Sequence, residues 1–151
     1  MAGGDPHVEL LDVTLAYGSF LVLQGLSFSI NRGDVFIIMG GSGCGKSTVM
    51  RSLAGLLAPK TGRILYNGAS FWELPEGGRT RRMRHFGVMY QSGALWSSMT
   101  LRENVELPLE QYTELSPRQI REIAAYKLAL VGLSGFDDFY PSEISGGMRK
   151  R

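Results

Sequence analysis

One stretch restricts the fold of this chain more than any other: an apolar run, a glycine-rich loop and a helical pattern follow one another without a gap. Residues 35–39 read V-F-I-I-M, which is short, apolar and rich in β-forming residues, and predicts a strand buried on both faces of a parallel sheet. The loop then reads G-G-S-G-C-G-K-S, and apolar residues recur at helical spacing over residues 47–57. The sequence therefore predicts an α/β fold in which a core strand leads through a glycine loop into a helix.

The glycine loop fits the pattern G-x-x-x-x-G-K-[ST], and strand and helix flank it as this pattern requires. Glycines let backbone N–H groups close around a phosphate chain at the positive end of a helix. Lys46 adds a cation against the β- and γ-phosphates, Ser47 offers a hydroxyl to Mg²⁺, and Thr48 can bond the α-phosphate region. An accidental lysine in a glycine-rich turn is the alternative. The candidate nucleotide-binding residues of the loop are Gly40, Gly41, Ser42, Gly43, Cys44, Gly45, Lys46, Ser47 and Thr48.

The remaining pattern is that of one domain with a helical insertion. Alternating residues predict two antiparallel, half-buried strands before the loop and a short strand with an Asn67-Gly68 turn after it. The run F-G-V-M-Y predicts a second buried strand, and Ser116-Pro117 predicts an N-cap and first position of a helix that ends near residue 131. In order, the predicted strands span 7–15, 26–30, 63–66 and 86–90, and the later helices 101–111 and 116–131.

Composition restricts the classes of partner and metal. The net charge is only +2, so the arginines over residues 79–84 predict a solvated basic face rather than a nucleic-acid patch. The single cysteine, Cys44, excludes an internal disulfide framework and a cysteine-built zinc site, so any metal is expected to be oxygen-bound. His7 and His85 have no evident ligand partners. No signal sequence and no apolar run of about 18 residues is present, which predicts a cytoplasmic chain; if a membrane is involved, another subunit would cross it.

A second motif, near the carboxyl end, indicates the family. The run Ile144-Ser145-Gly146-Gly147-Met148, with Y-P-S-E before it, resembles the L-S-G-G-Q signature of ABC ATPases. Met148 replaces the usual glutamine, and G-G-M-R-K-R is similar to the variant in the ATPases of Mla and Mce lipid-transport systems. Ser145 and the two glycines would offer a hydroxyl, bare N–H groups and a helix dipole to a phosphate. The alternative is a turn that caps an exposed basic helix.

The resemblance implies ATP and Mg²⁺ as cofactors and a head-to-tail dimer of ATPase subunits. Ser145, Gly146 and Gly147 would contact the ATP of the opposite subunit. Tyr17 stands where the family places an aromatic that stacks on adenine; Phe20 is the less favoured substitute, and an ordinary strand-edge tyrosine is the alternative. The resemblance implies catalytic roles for Lys46, Gln91 and Ser145, and metal contacts from Ser47 and Gln91.

Gln91 matches the family's Q-loop, which contacts the metal and the attacking water and is followed by a segment that meets the transmembrane permease. Here that segment carries Leu95, Trp96 and Met99, which would suit a partner's coupling helix if exposed. Alternatively, these side chains fold back into the core of the helical insertion. Peripheral attachment to the cytoplasmic face of the inner membrane, with no nucleic-acid partner, is the corresponding expectation.

The printed sequence contains no apolar strand that ends in Asp-Glu and no later histidine, so the family's Walker B, D-loop and H-loop regions are missing from it. The implied division is a nucleotide-binding core over 7–91, the Q-loop and helical subdomain over 92–144, and the start of the signature helix over 145–151. We expect a truncated cassette that binds nucleotide but hydrolyses it poorly, because the water-positioning glutamate is missing.

Transport of phospholipid or another lipid is the function that the resemblance favours. A soluble ABC protein acting as a nucleotide switch in translation or DNA repair is the competing interpretation, and the apolar loop after Gln91 argues against it. A non-catalytic binding module is a third interpretation, which no residue supports positively.

Overall fold

The computed structural model of the protein describes residues 6–90 and 93–151. The chain divides into two compact units, Met1–Gly87 and Val88–Arg151. The division that the sequence suggests, with a helical insertion from residue 92 and a signature helix from residue 145, stays a prediction.

The first unit is built on a four-stranded antiparallel sheet in the order β2-β1-β3-β4. The hairpin of β1 and β2 places Tyr17 opposite Phe20, and the pairing of β1 with β3 places Leu10 opposite Ile64. The predicted antiparallel strands are confirmed and are longer than expected. The four strands are β1 (Pro6–Tyr17), β2 (Phe20–Asn31), β3 (Thr61–Tyr66) and β4 (Ala69–Ser70).

A bulge in β1 explains why its hydrophobic alternation is irregular. Leu10, Val13 and Leu15 are all fully buried, although a regular strand would bury residue 12 rather than residue 13. Asp12 has a φ of 49°, and the register with β2 shifts between Leu10 and Val13. The extra residue changes the phase, so the second half of β1 faces the same core as the first. Only glycine fits at Gly62 on β3, since a Cβ there would overlap the backbone of Asp12.

Helix α1 (Lys46–Leu53) follows the glycine loop and packs Val49 on the sheet core. It is shorter than predicted because the chain turns at Gly55, where φ is 75° and a Cβ would lie 2.6 Å from Phe71 Cζ. The hydroxyl of Tyr66 donates a hydrogen bond to the Leu53 carbonyl, which fixes the end of α1 on β3. A second helix, α2 (Glu76–Met83), carries most of the basic run.

The two predicted buried strands are not formed, which corrects the sequence-based prediction. Residues 35–39 and 86–90 have no regular secondary structure, and neither segment pairs with a described strand. Val35, Ile37 and Met39 are 90%, 71% and 85% exposed. A strand of a parallel sheet needs hydrogen-bonded neighbours and cover on both faces, and without them an apolar run stays open to solvent. Two residues of this run do find partners: Phe36 stacks on Phe28 with ring centroids 4.8 Å apart, and Ile38 packs against the core of the first unit.

The second unit is helical, with α3 (Leu101–Tyr112), α4 (Pro117–Leu130) and α5 (Gly146–Arg149). Thr100 and Ser116 each form a capping box at the start of α3 and α4, and the predicted Ser116-Pro117 start is confirmed. The apolar core combines Leu101, Leu128, Leu133 and Ile144. None of the helices in the described parts of the chain is long and apolar enough to cross a bilayer.

Candidate functional site

The glycine loop of the first unit curls into the start of α1 as the motif predicts. Gly45 is the N-cap of α1 with a φ of 95°, and Gly43 has a φ of 79°. A Cβ on Gly45 would lie 2.8 Å from Leu23 Cδ1, and one on Gly40 would lie 2.5 Å from Cys44 Sγ. The backbone approaches its neighbours too closely for other residues, so the glycines set the shape of the loop.

The ammonium group of Lys46 lies inside this curl. Its Nζ donates hydrogen bonds to the carbonyls of Gly40 at 2.7 Å and Gly41 at 2.6 Å, and lies 3.7 Å from Cys44 Sγ. Carbonyl oxygens are neutral acceptors, and phosphate oxygens are charged ones that bind an ammonium group more strongly. The first turn of α1 also has backbone N–H groups that find no acceptor within the helix. The curl thus presents a cation and free donors to one region, which fits a phosphate chain.

Tyr17 and the glycine loop share one open cavity of about 430 Å³, so the structure brings together the predicted aromatic and the predicted phosphate-binding residues. Phe20 lines the same cavity, which leaves both aromatics as candidates for base stacking. The described residues that line it are Tyr17, Phe20, Val22, Ser42, Gly43, Gly45, Lys46, Ser47 and Thr48.

Two neighbours on α1 hold the hydroxyl of Tyr17. A hydrogen bond with Thr48, assisted by one from Arg51 whose Nη1 is 3.4 Å away, lowers the pKa of Tyr17 below its ordinary value. Thr48 is itself buried and lines the same cavity as Tyr17. Arg51 was missed at the level of sequence; its place five residues after the motif lysine, one turn further along α1, is the only signal that could have indicated it.

The described part of the chain contains no cluster of three or more histidine, cysteine or acidic residues that could hold a metal ion alone. Ser47 is exposed and its hydroxyl is an oxygen donor at the cavity. This donor set fits a hard cation that keeps most of its waters and binds chiefly through phosphate oxygens, as Mg²⁺ does. Gln91, the other expected metal contact, lies outside the described residues.

In the second unit, Asn104 of α3 holds the loop that follows Gln91. Its Nδ2 donates to the carbonyls of Met99 at 3.1 Å and Thr100 at 2.9 Å, and its amide also bonds to the backbone of Trp96. Trp96 is 62% exposed, whereas Leu95 is less exposed and lines an apolar groove together with Leu101 and Met148. The alternative of folding back into the core does not hold for Trp96; Leu95, 38% exposed, only borders the groove, and Met99 is half-buried.

Ser145 begins the short helix α5, as predicted. Its Oγ accepts a hydrogen bond from the Met148 N–H at 3.2 Å. A Cβ on Gly146 would meet no atom within 4 Å, and one on Gly147 would meet only the Ser145 hydroxyl at 3.9 Å. No contact with the described residues of the unit requires these glycines, so their bare backbone is open to an external group. Met148 instead points its side chain at the apolar core of the unit.

Comparison with known proteins gives one consistent family. The family model described as ABC transporter matches residues 23–151. The chain is 40% identical over 144 residues to the probable ribonucleotide transport ATP-binding protein mkl of Mycobacterium tuberculosis, covering 95% of this chain and 40% of that protein. It is 35% identical over 147 residues to the intermembrane phospholipid transport system ATP-binding protein MlaF of Escherichia coli, covering 95% of this chain and 54% of that protein.

Among solved structures, the dimeric ATP-binding cassette MJ0796 bound to ADP and Pi superposes with a TM-score of 0.82 at 30% identity, covering 94% of this chain and 65% of that one. The first unit's sheet and the helices therefore belong to the same cassette fold, in spite of the two strands that are not formed. The chain spans only about half, or less, of the length of the curated relatives it matches.

Proposed function

Because the chain belongs to the ABC transporter family of ATP-binding proteins, we propose that it is nucleotide-binding machinery of a transport ATPase that moves phospholipid or another lipid. The observation that carries this proposal is the curled glycine loop with the Lys46 ammonium inside it, opening into the cavity of Tyr17. The loop fits a phosphate chain, and the aromatic wall fits a base. ATP coupled to membrane transport is the function that unites this site with the family.

ATP and Mg²⁺ are the cofactors that the site would take. Gly43, Gly45 and the first turn of α1 would surround the phosphates with backbone N–H groups, and Lys46 would exchange its carbonyl partners for phosphate oxygens. Ser47 would donate an oxygen ligand to Mg²⁺, which neutralises the charge that develops on the transferred phosphoryl group. Tyr17 would stack on adenine through its exposed ring face.

A second copy of the ATPase would complete each site. The unobstructed glycines after Ser145 support this role, because a phosphate can approach bare backbone closely at the start of a helix. The head-to-tail arrangement would place Ser145, Gly146 and Gly147 of one subunit against the γ-phosphate bound by Lys46 of the other. Such shared stabilisation of charge ties hydrolysis to closure of the dimer.

The membrane partner would be a permease that docks on the loop after Gln91. Exposure of Trp96, and the hold of Asn104 on the backbone beneath it, support a rigid apolar contact at this place. Gln91 would then report nucleotide state to the same loop. We propose attachment to the cytoplasmic face of the inner membrane, and lipid as the cargo because one relative serves intermembrane phospholipid transport.

Binding of a fluorescent ATP analogue with Mg²⁺ tests the site. Lys46→Ala should weaken binding by about tenfold to a hundredfold, since a charge-assisted hydrogen bond contributes about 1.5–3 kcal/mol. Lys60→Ala removes an equal charge in the same unit and should leave binding unchanged. Comparing Tyr17→Ala with Phe20→Ala identifies the stacking residue. Equal affinity in the Lys46 variant and the parent chain would refute the proposal.

Hydrolysis by the 151-residue chain is expected to be far below that of a complete cassette. No described residue lining the cavity carries a carboxylate that could position or deprotonate water. A phosphate-release assay on the purified chain, with binding measured in parallel, should show occupancy without turnover. Turnover typical of the family would contradict this expectation.

Copurification with a membrane permease subunit tests the partner. Trp96→Asp should abolish copurification, whereas Tyr126→Asp on α4, where the side chain is equally exposed at 60%, should not. Retention of the membrane subunits by the Trp96 variant would place the contact elsewhere.

A further inference from the structure

A second cavity in the first unit is lined by two arginines of the 79–84 run, for which the sequence predicts a solvated face, and by one arginine from elsewhere in the chain. It has a volume of about 630 Å³, which lies in the range of small-molecule sites. Arg81 and Arg82 reach it from the last turn of α2, and Arg32 reaches it from the turn that ends β2. His7 and His85 also line it.

Among the described residues, no acidic side chain compensates the positive charge of this cavity. None of the described residues that line it is acidic, and no described ion pair involves Arg32, Arg81 or Arg82. His7 has a partner, since its Nδ1 lies 2.7 Å from Asn67 Oδ1. Three guanidinium groups without an ion-pair partner among the described residues therefore line one cavity, and an anion bound there would relieve their mutual repulsion.

The helix dipole explains part of this arrangement but not all of it. Cations in the last turn of a helix are favourable, so Arg81 and Arg82 would be stabilised at the end of α2 without any ligand. Arg32 lies in a turn after a strand and gains nothing from that dipole. Its convergence with the other two arginines on one cavity is the observation that points to a ligand.

Apolar and aromatic side chains also line the cavity. Tyr66, Leu74 and Phe86 line the cavity beside the arginines, and Tyr66 belongs to the apolar core. Burial raises the pKa of Tyr66, and the charge of Arg82 partly offsets this effect, so the guanidinium acts at close range on that wall. The site thus combines a cationic side with an apolar side.

We propose that this cavity binds an organic phosphate, with the phosphate held by Arg32, Arg81 and Arg82 and the organic part against Tyr66 and Phe86. Guanidinium groups present forked donors that match phosphate oxygens in pairs, which favours phosphate over a single carboxylate. The phosphate is either the headgroup of a membrane lipid or part of a free metabolite. The site is separate from the Lys46 loop, and it stands whether or not that loop binds ATP.

The test uses the full 151-residue chain carrying Lys46→Ala, which is expected to weaken phosphate binding at the glycine loop. Two probes are used: glycerol 3-phosphate, followed by calorimetry, and phosphatidylcholine vesicles with or without phosphatidic acid, followed by flotation. We expect the chain to bind at least one of the two probes. The double variant Arg81→Gln/Arg82→Gln should bind that probe about tenfold or more weakly. Binding only to vesicles that contain phosphatidic acid identifies a lipid headgroup as the ligand. Binding only of glycerol 3-phosphate identifies a free phosphate.

The control variant, Arg63→Gln/Arg121→Gln, removes two arginines outside the cavity. Its net charge equals that of the Arg81→Gln/Arg82→Gln variant. It should bind like the parent chain. Arg32→Gln alone should also weaken binding about tenfold. Because Arg32 lies outside α2, this variant tests the cavity even if the double variant on α2 fails to fold. Absence of binding to both probes, or equal losses in the cavity and control variants, would overturn the proposal.

Discussion

Asn104 and Trp96 are joined by a reciprocal pair of hydrogen bonds in which the backbone N–H of Trp96 donates to Asn104 Oδ1 at 2.7 Å and Asn104 Nδ2 donates to the Trp96 carbonyl at 3.1 Å. One helix side chain thus satisfies both the backbone N–H and the backbone carbonyl of a loop residue, as a paired strand would. The same amide also donates to the carbonyls of Met99 and Thr100, so the backbone that carries the exposed indole is held in place. This relationship agrees with the proposal that the loop after Gln91 docks on a permease.

Asn104→Ala should loosen that loop without unfolding the helix beneath it. Loss of these bonds should lower the free energy of unfolding by about 2 kcal/mol, since a neutral hydrogen bond contributes about 1 kcal/mol net and part of the loss is recovered from water. In a Trp72→Phe background Trp96 is the remaining tryptophan, so its fluorescence anisotropy reports the loop directly. Gln111→Ala on the same helix is the control, and an unchanged anisotropy in the Asn104 variant would show that the loop is held by other contacts.

The glycine loop should respond to alanine in a graded way. Gly41→Ala meets no atom within 4 Å and should leave the stability of the fold unchanged. The new Cβ of Gly43→Ala also meets no atom within 4 Å, but the backbone there has a φ of 79°. This strain should lower the free energy of unfolding by about 1–2 kcal/mol. Gly45→Ala adds a clash with Leu23 and Val22 to the same strain and should lose about 1 kcal/mol more. Urea denaturation orders the three variants, and a Gly41 variant as unstable as the Gly45 variant would contradict the contact argument.

Tyr17 should ionise at lower pH than an ordinary tyrosine, since hydrogen bonds from Thr48 and then Arg51 favour the phenolate and lower its pKa. The folded-state pKa is below the unfolded one, so the contribution to stability is present above the unfolded pKa and is lost as the pH falls through the folded-state pKa. The difference between the ultraviolet titrations of the parent chain and Tyr17→Phe isolates this group. Thr48→Val should raise the pKa more than Arg51→Gln does, and superimposable titrations would rule out the hydrogen bonds as the cause.

Local signals predicted local structure well. Ser116, Pro117 and Gln119 specify the start of α4 through a side-chain cap that needs no distant partner. Asn67-Gly68 specifies a turn because both residues accept a positive φ, and the observed values are 49° and 75°. The glycine loop belongs to the same class, since its curl depends on the residues of the motif and on the helix that follows at once.

Features that depend on distant contacts could not be predicted in this way. An apolar run such as residues 35–39 becomes a buried strand only when other strands pair with it, and pattern alone does not reveal whether they do. The roles of Arg51 and Asn104 also depend on which backbone or hydroxyl the fold brings near. The convergence of Arg32 with Arg81 and Arg82 joins elements about fifty residues apart, so the sequence shows only a basic run.

Met148 shows how a departure from a family motif can have a packing cause. The signature glutamine of the family is replaced here by a side chain that packs against the apolar core of Leu101, Leu128, Leu133 and Ile144. Met148→Gln should therefore lower the free energy of unfolding of the second unit by about 1 kcal/mol, because it moves an amide into a partly buried apolar position. Met148→Leu keeps the volume and the apolar character and should change it by less. Thermal or urea unfolding of the two variants tests this packing role. A glutamine variant as stable as the parent chain would rule out packing as the cause and favour a direct role in nucleotide contact.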